Sequence, residues 1–309
     1  MRRDASVVVV SWNAKTHLLD CLRSVENDPG IELIVVDNAS TDGSADAVAH
    51  EFPRVLLVRN PSNLGFARAC NIGIGMASGG YVFLVNSDAV VRPGAIRTLL
   101  RFMDDRPRVG LAGPRVLNPD GSLQHSCRTF PGVFRNTCSA LALPRLFPRS
   151  QRLSGEQMLH WSHDRERSVD AISGCFVVAR VEAVRQVGAL DEEFFLYGED
   201  VDWCMRFHDA GWDVRFCPTA EVVHVGGASS ANDGRRFVGE MLTSTAKLYR
   251  KHYSRPVAVY LSVVAVLHHL VRLVARSILW VLLPPHRDSL RTKIDAHLAG
   301  LRWLLRARG

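Results

Sequence analysis

The chain has 309 residues, 47% hydrophobic and 22% charged, with a formal net charge of +7. That suits an ordinary globular protein large enough for a full α/β domain. The charge is uneven: from Pro256 onward eight Lys/Arg stand against two Asp/Glu, +6, which leaves +1 for the first 255 residues. A nearly neutral body argues against a nucleic-acid groove, and a basic, apolar tail points to an anionic membrane surface. Seven scattered cysteines without a Cys-x-x-Cys pair read as reduced thiols of a cytosolic protein. His125 and Cys127 have no partner pair at zinc spacing. Met1-Arg-Arg before Val7–Val10 is too short an apolar run for a signal peptide, so the N-terminus is expected in the cytoplasm.

In chain order, Ser6–Ser11 is a continuous β-branched strand ended by Trp12-Asn13, and Leu18, Leu22 and Val25 recur at helical spacing from about Ala14 to Glu26. Ile31–Val36 is the second strand. Turn formers Asp37 to Gly43 follow it, then a helix over Ser44–Glu51. Val55–Val58 is a third strand and Gly65–Met76 a small-residue helix. Tyr81–Val85 is a buried strand ending in Asn86-Ser87-Asp88. Strands alternating with helices imply βαβ units: an α/β fold with a doubly wound, mostly parallel sheet and helices on both faces.

Further on, Pro93–Met103 is a helix and Val109–Val116 a strand. Leu123–Ser168 shows neither period and reads as a functional lid. Val169–Ala179 returns to the sheet, with Gly174 where a ligand or backbone comes close. A short helix covers Val181–Val187, a second runs from about Asp200 to Ala210, two short strands take Trp212–Phe216 and Ala220–Val225, and a last helix runs from about Arg235 to His252. Residues 1–255 thus form one catalytic-size domain.

Residues 256–309 form a tail of two amphipathic helices. Val257–Leu283 is apolar, but Ser262, Ala265, His269, Arg272 and Arg276 line one stripe, and Arg272 interrupts the run after fifteen residues, short of the ~20 a membrane span needs. Pro284-Pro285 ends it. A second helix begins near Asp288 or Ser289, with Leu290, Ile294, His297, Leu301 and Leu304 on one side and Arg302, Arg306 and Arg308 near its end. Lying on the cytoplasmic leaflet, or dipping into it, is the expectation; packing on the body or in a homodimer is the alternative.

Three polar clusters close consecutive strands: Trp12-Asn13, Asp37-Asn38 and Asn86-Ser87-Asp88. In a parallel sheet these ends share one edge, where open α/β sheets bind ligands. No Gly-x-Gly-x-x-Gly follows the first strand, which disfavours a dinucleotide oxidoreductase. An acidic residue after the second strand suits a ribose or base edge, and Asn86 and Asp88, two apart, suit a hard cation carrying phosphate.

The series Val-Val-Ser-Trp-Asn13, Val-Val-Asp-Asn-Ala-Ser-Thr-Asp-Gly-Ser44, Asn-Leu-Gly-Phe-Ala-Arg-Ala-Cys-Asn71, Asn-Ser-Asp88 and Tyr-Gly-Glu-Asp-Val-Asp-Trp203 resembles the family 2 inverting glycosyltransferases of GT-A fold. Within them it is most similar to bacterial rhamnosyltransferases of cell-wall and surface-polysaccharide assembly. The resemblance covers roughly Ser6–Ser230. It implies a nucleoside diphosphate sugar donor, a polyprenyl-diphosphate-linked glycan acceptor and Mg²⁺ or Mn²⁺. Asp37 then accepts from the pyrimidine N3–H with Val10 to Trp12 along the base. Arg68 stands beside base and phosphates, and Asn13, Asn38, Asn63, Asn86 and Ser87 complete the nucleotide set. Asn63 and Asn71 serve equally as loop braces.

Asp88 matches the second acid of the family's Asp-x-Asp and binds the cation; Asn86 stands where many relatives carry Asp and brings no charge. His224 matches a further metal ligand in some relatives. Ser173 and Gly174 lie where relatives approach the donor sugar. Asp200 matches the catalytic base, with Glu199 in support. Asp202 and Arg206 read as an i,i+4 surface pair worth ~0.3–0.5 kcal/mol. Trp203 and Tyr197 suit sugar stacking or core packing. The expected function is transfer of L-rhamnose from dTDP-rhamnose to a lipid-linked glycan. A UDP-hexose donor and an inactive nucleotide-sugar-binding scaffold are the rivals.

Overall fold

The computed structural model describes residues 4–25, 30–147, 149–227, 234–282 and 287–306; Met1–Arg3, Pro284-Pro285 and Arg308 fall outside them. Its contacts divide the chain into two compact units. The first holds residues up to Phe130, Trp161–Phe195 and Glu199–Ser229; the second holds Pro131–His160, Leu196–Gly198 and Ser230–Gly309.

The first unit is built on a mixed sheet. Strands β1 (Ala5–Ser11), β2 (Ile31–Asp37), β3 (Leu56–Arg59) and β4 (Tyr81–Asn86) run parallel in the order β3-β2-β1-β4. Between them lie helices α1 (Lys15–Val25), α2 (Ser44–Glu51) and α3 (Phe66–Met76). Side chains of β1 alternate across the sheet, as a period of two demands. Val7 and Val9 join Leu18 and Leu22 of α1 in the core cluster. Val8 points the other way, where a Cβ on Gly73 of α3 would collide with it. Helices therefore cover both faces, and α3 sits close only because residue 73 has no side chain.

Beyond β4 the order is β11-β6-β12-β5. Here β5 is Ala89–Val91, β6 Val109–Leu117, β11 Phe176–Arg180 and β12 Asp213–His224. α4 (Ala95–Asp104) packs on β6 and β12. Three expectations change. β11 lies antiparallel between β4 and β6, so β4 is central but not flanked by parallel strands on both sides. The run Val169–Ala179 is split: β10 (Ala171–Ile172) pairs with β8 (Cys127–Arg128) in a separate two-stranded sheet, and the Ser173-Gly174 turn precedes β11. The two short strands after Trp212 are one strand, β12, which keeps its pairing with β6 through an irregularity between Cys217 and Glu221 around Pro218. Short strands β7 (Leu123–Gln124) and β9 (Arg167–Ser168) pair with β6 and β12. α7 (Val181–Val187) and α8 (Glu199–Asp209) complete the unit. All seven cysteines are free and buried.

The second unit is helical: α5 (Val133–Ala140), α6 (Leu143–Leu146), α9 (Gly234–His252), α10 (Arg255–Leu282) and α11 (Arg287–Arg306). Part of the apparent lid thus packs with the C-terminal helices. Asn136 donates to the Tyr249 hydroxyl (2.7 Å), Tyr253 to the Pro131 carbonyl (2.6 Å), and the Thr137 and Tyr260 hydroxyls meet at 2.7 Å. α10 is long and apolar enough to cross a membrane by length and composition. Its polarity is inverted. His269, Arg276 and His297 of α11 form one network inside the pair, whereas Val259, Val263, Leu267, Val271, Val274 and Ile278 are exposed.

Candidate active site

The expected nucleotide end is assembled from β1 and β2, where Ser11 lies opposite Asp37. Asp37 is 3% exposed; its Oδ2 accepts from the Ser40 amide at 3.1 Å, while Oδ1 and the neighbouring Ser11 Oγ are buried without a hydrogen-bond partner. A buried carboxylate oxygen left without a donor costs about 1–3 kcal/mol or more, so this pair wants an N–H or O–H from outside the chain. Val10 is buried and Trp12 half-buried beside it.

The asparagines around this end hold loops. Asn13, at φ 50°, accepts from the Thr41 amide (2.7 Å) and donates its own amide to Ser40 Oγ. Asn38 donates to Asn63 Oδ1 (2.8 Å) and the Gly65 carbonyl, and accepts from Asn60 and Leu64. Asn63 also accepts from the Gly65 amide. Asn71 ties α3 to the Leu190 backbone in both directions. Arg68, one turn earlier on α3, is half-exposed with its Nε 3.6 Å from Glu192.

The expected cation end begins one strand over, since Val10 pairs with Asn86. From there β4 turns through the buried Ser87 and Asp88 into β5, whose Ala89 lies opposite His224 of β12. Asp88 Oδ1 is 3.1 Å from His224 Nε2, and Asn86 Nδ2 is 3.3 Å from the same nitrogen. Gln124 fixes the imidazole. Its Nε2 donates to Asn118 Oδ1 and the His224 carbonyl, which leaves Oε1 to accept from His224 Nδ1 at 2.6 Å. A proton on Nδ1 leaves Nε2 as the nitrogen that faces the Asp88 carboxylate. Two electron-rich atoms 3.1 Å apart, both nearly buried, are the donor set a divalent cation takes. Rotating the Asn86 amide would add a carbonyl oxygen. Among the described residues no cluster holds three His, Cys, Asp or Glu, so phosphate oxygens and water would complete the shell.

The expected base, Asp200, is reached across β11. The Asn86 amide donates to the Cys175 carbonyl (2.9 Å), and two residues back from Phe176 the Gly174 amide donates to Asp200 Oδ2 (3.0 Å). Asp200 Oδ1 accepts from the Val201 amide at 2.8 Å. Both oxygens are thereby oriented at the start of α8. Ser173 donates its amide to the Ser126 carbonyl and sets the turn. Glu199 differs: it is buried, its Oε2 has no hydrogen-bond partner, and burial first, then the Asp200 charge, raises its pKa. Glu199 is therefore the protonated member at neutral pH and adds no second charge beside Asp200.

Asp202 is not a surface residue. Its carboxylate is fully buried and accepts from Arg206 Nε at 2.8 Å, while Arg206 also donates to the carbonyls of Val187 and Ala189. Chain reversal after α7 supplies those carbonyls, which α8 periodicity alone does not reveal. Trp203 is core, packed edge-on against Phe207 with its Nε1–H on the Gly188 carbonyl. Ser11 and Gln124 escaped sequence reasoning. Ser11 had a signal in being the one polar residue ending a valine run; Gln124 had none, lying in an aperiodic stretch a hundred residues from His224.

Asp37, Ser11, Asn86, Asp88, His224, Gly174 and Asp200 thus share one sheet edge, with Asp37 and Asn86 two strands, about 10 Å, apart. This is the ligand edge of an open α/β sheet. Residues 6–155 match the family described as Glycosyl transferase family 2, and residues 81–287 the Glycosyl transferase family group 2. The chain is 33% identical over 240 residues to an N-acetylglucosaminyl-diphospho-decaprenol L-rhamnosyltransferase of Mycobacterium tuberculosis, covering 74% of this chain and 78% of that one. It is 27% identical over 232 residues to a pre-mycofactocin glycosyltransferase of the same species, covering 72% of this chain and 43% of the relative. Among solved structures, the mannosyltransferase PcManGT of Pyrobaculum calidifontis, in complex with GDP-Man and Mn²⁺, superposes with a TM-score of 0.59 at 18% identity over 98% of this chain and 88% of its own. GalNAc-T7 with UDP, GalNAc and Mn²⁺ reaches 0.58 at 16% identity over 80% of this chain and 47% of its own. The fold is the GT-A fold of these enzymes, and the chain is a glycosyltransferase belonging to family 2.

Proposed function

We propose that this enzyme transfers L-rhamnose from dTDP-rhamnose, with inversion, to a hydroxyl of a polyprenyl-diphosphate-linked glycan at the cytoplasmic membrane surface. The observation that carries the reading is the alignment along one edge of an unpaired Asp37 oxygen, the Asp88–His224 pair and a backbone-oriented Asp200. Kinship to a rhamnosyltransferase named for a decaprenyl-diphosphate acceptor supports the donor sugar and the acceptor class.

In this reading Asp37 Oδ1 accepts the pyrimidine N3–H, Ser11 Oγ lies beside it, and the braced loops of Asn13, Asn38 and Asn63 keep that carboxylate in place. Asp88 and His224, with Asn86 alongside and Ser87 in the same turn, would hold Mg²⁺ or Mn²⁺. Such a cation supplies charge neutralisation for the departing diphosphate. Arg68 is the cation on α3 available to the donor. Gly174 and Ser173 give the donor sugar a floor without a side chain at residue 174.

Asp200 is the general base. Held through both oxygens by backbone N–H groups, it takes the acceptor hydroxyl's proton as that oxygen bonds to the anomeric carbon and the C1–O bond to the diphosphate breaks on the opposite face. One displacement gives inversion. Glu199, kept protonated by burial, adds no second charge behind it.

The sheet unit carries the chemistry, and the helical unit with residues 256–309 meets the membrane. The outward apolar side and inward cationic side of α10 support this. The test is a purified-protein assay with a short-chain N-acetylglucosaminyl diphospholipid, dTDP-rhamnose or UDP-hexoses, with and without Mn²⁺. Metal-dependent rhamnosyl transfer is expected. Turnover with a UDP-hexose alone reassigns the donor, and absence of any transfer refutes catalysis.

A further inference from the structure

Residues 131–160 lie within Leu123–Ser168, the stretch with no readable period, and their composition is unusual for a lid over a polar site. They carry four arginines and one acidic residue, Glu156. In the structure they belong to the same unit as α9–α11. The segment shows Phe134 at 60%, Leu141 at 63%, Leu146 at 68% and Phe147 at 51% exposure, values at which large apolar side chains are in water. Singly scattered exposed hydrophobics need no explanation, but four large ones within fourteen residues, with arginines among them, do.

Phe134 and Thr137 follow one another at helical spacing on α5, and Leu141 caps its end. Thr137 meets Tyr260 of α10 at 2.7 Å, and the exposed stripe of Val263, Leu267, Val271 and Val274 continues from Tyr260 along α10. Phe134 lines a depression of about 660 Å³ together with Gly132, Val133, Arg135, Gln151 and Arg152. An apolar surface of aromatic and aliphatic side chains with guanidinium groups at its border is the chemistry of a bilayer interface, where rings enter the acyl boundary and arginines meet phosphate. A protein partner would also bury apolar area, but the exposed side chains run on along α10, a helix of membrane-span length and composition, which favours the bilayer.

We propose that residues 131–160 form a second membrane-docking element, continuous with the exposed side of α10, whose Arg135–Arg152 depression takes the phosphate of an anionic phospholipid. This rests on the membrane reading of the helical unit and adds to it a composition preference that the tail alone would not place here. The occupant is a headgroup of the bilayer surface, reached laterally by the element itself.

The test is co-sedimentation of the full-length protein with vesicles of phosphatidylcholine alone and of phosphatidylcholine mixed with phosphatidylglycerol. Wild type prefers the anionic vesicles, and the preference weakens with salt. Arg135→Gln/Arg152→Gln lowers partitioning onto anionic vesicles by roughly thirtyfold and leaves the weaker binding to phosphatidylcholine unchanged. Phe134→Ser/Phe147→Ser lowers both. These side chains lie outside the sheet unit, so rhamnosyl transfer to a water-soluble acceptor analogue stays at the wild-type rate, which also reports folding. Unchanged partitioning of both variants, with loss only on Val263→Ser/Val271→Ser in α10, overturns the docking element and leaves the membrane reading standing. No binding of wild type to either vesicle overturns both, and a dimer in solution broken by Phe134→Ser/Phe147→Ser makes a second copy the occupant instead.

Discussion

The Gly174 amide donates to Asp200 Oδ2 at 3.0 Å, so the proposed base is oriented by a residue that has no side chain. A Cβ on Gly174 would stand 3.4 Å from the Asp200 Cβ and 3.8 Å from the Phe66 ring, which is ordinary contact. Alanine therefore fits there, while a branched side chain adds methyls beside Asp200 and Phe66. Gly174→Ala should keep most of the turnover, whereas Gly174→Val should lower kcat at least tenfold with a melting temperature near wild type. Initial rates and thermal melts on both variants check this; equal loss in both would mean the turn itself, not the space above it, is what matters.

Gln124 touches no substrate in this account, yet it sets which imidazole nitrogen of His224 is bare. Replacing it with leucine removes the acceptor for Nδ1–H. Loss of such an outer partner costs about 10–100-fold in metal affinity. Mn²⁺ titration of Gln124→Leu in the presence of nucleotide, read by calorimetry, should show that weakening, and transfer should recover at high Mn²⁺.

Asp202 tests how burial changes the meaning of an ion pair. As a surface pair it would contribute only ~0.3–0.5 kcal/mol. Fully buried, with Arg206 bridging to the Val187 and Ala189 carbonyls, loss of one partner should cost about 3–5 kcal/mol. Urea unfolding of Asp202→Ala separates the two values.

Glu199 predicts a pH dependence with a definite sign. Its folded pKa lies above the ordinary value of 4.5, raised first by burial and then by Asp200. The folded state thus binds more protons than the unfolded chain above pH 4.5, and this group's contribution to stability falls as pH rises from there into the neutral range. Glu199→Gln removes the ionisation. The variant should gain stability relative to wild type as pH increases from 5 through neutrality, measured by melts across that interval.

Much of the first ninety residues was legible because each helix there has one apolar face and each strand a continuous valine-rich run. Helix α2 was placed to the residue, and the strand-end clusters foretold the site edge. Elsewhere local pattern and tertiary pairing part company. The run Val169–Ala179 reads as one strand, but Ser173-Gly174 turns the chain so that β11 inserts antiparallel into the sheet. Pro218 argues for a break in β12, yet an irregular register lets pairing with β6 continue past it. Asp202 and Gln124 owe their environments to segments far along the chain, and no period records that. Leu123–Ser168 shows no period because buried and exposed apolar side chains are mixed there, Cys138 and Met158 buried and Phe134, Leu141, Leu146 and Phe147 exposed.

The central claim is that Asp200 removes the acceptor proton at an edge where Asp37 and Asp88 hold the donor. Asp200→Asn keeps the shape and both backbone hydrogen bonds' acceptors in part, and removes the base. Titrating this variant with dTDP-rhamnose and Mn²⁺, alongside transfer rates, should give a donor affinity within about threefold of wild type with kcat reduced roughly 10²–10⁴-fold. Near-wild-type turnover by Asp200→Asn, or loss of donor binding in step with activity, would contradict it.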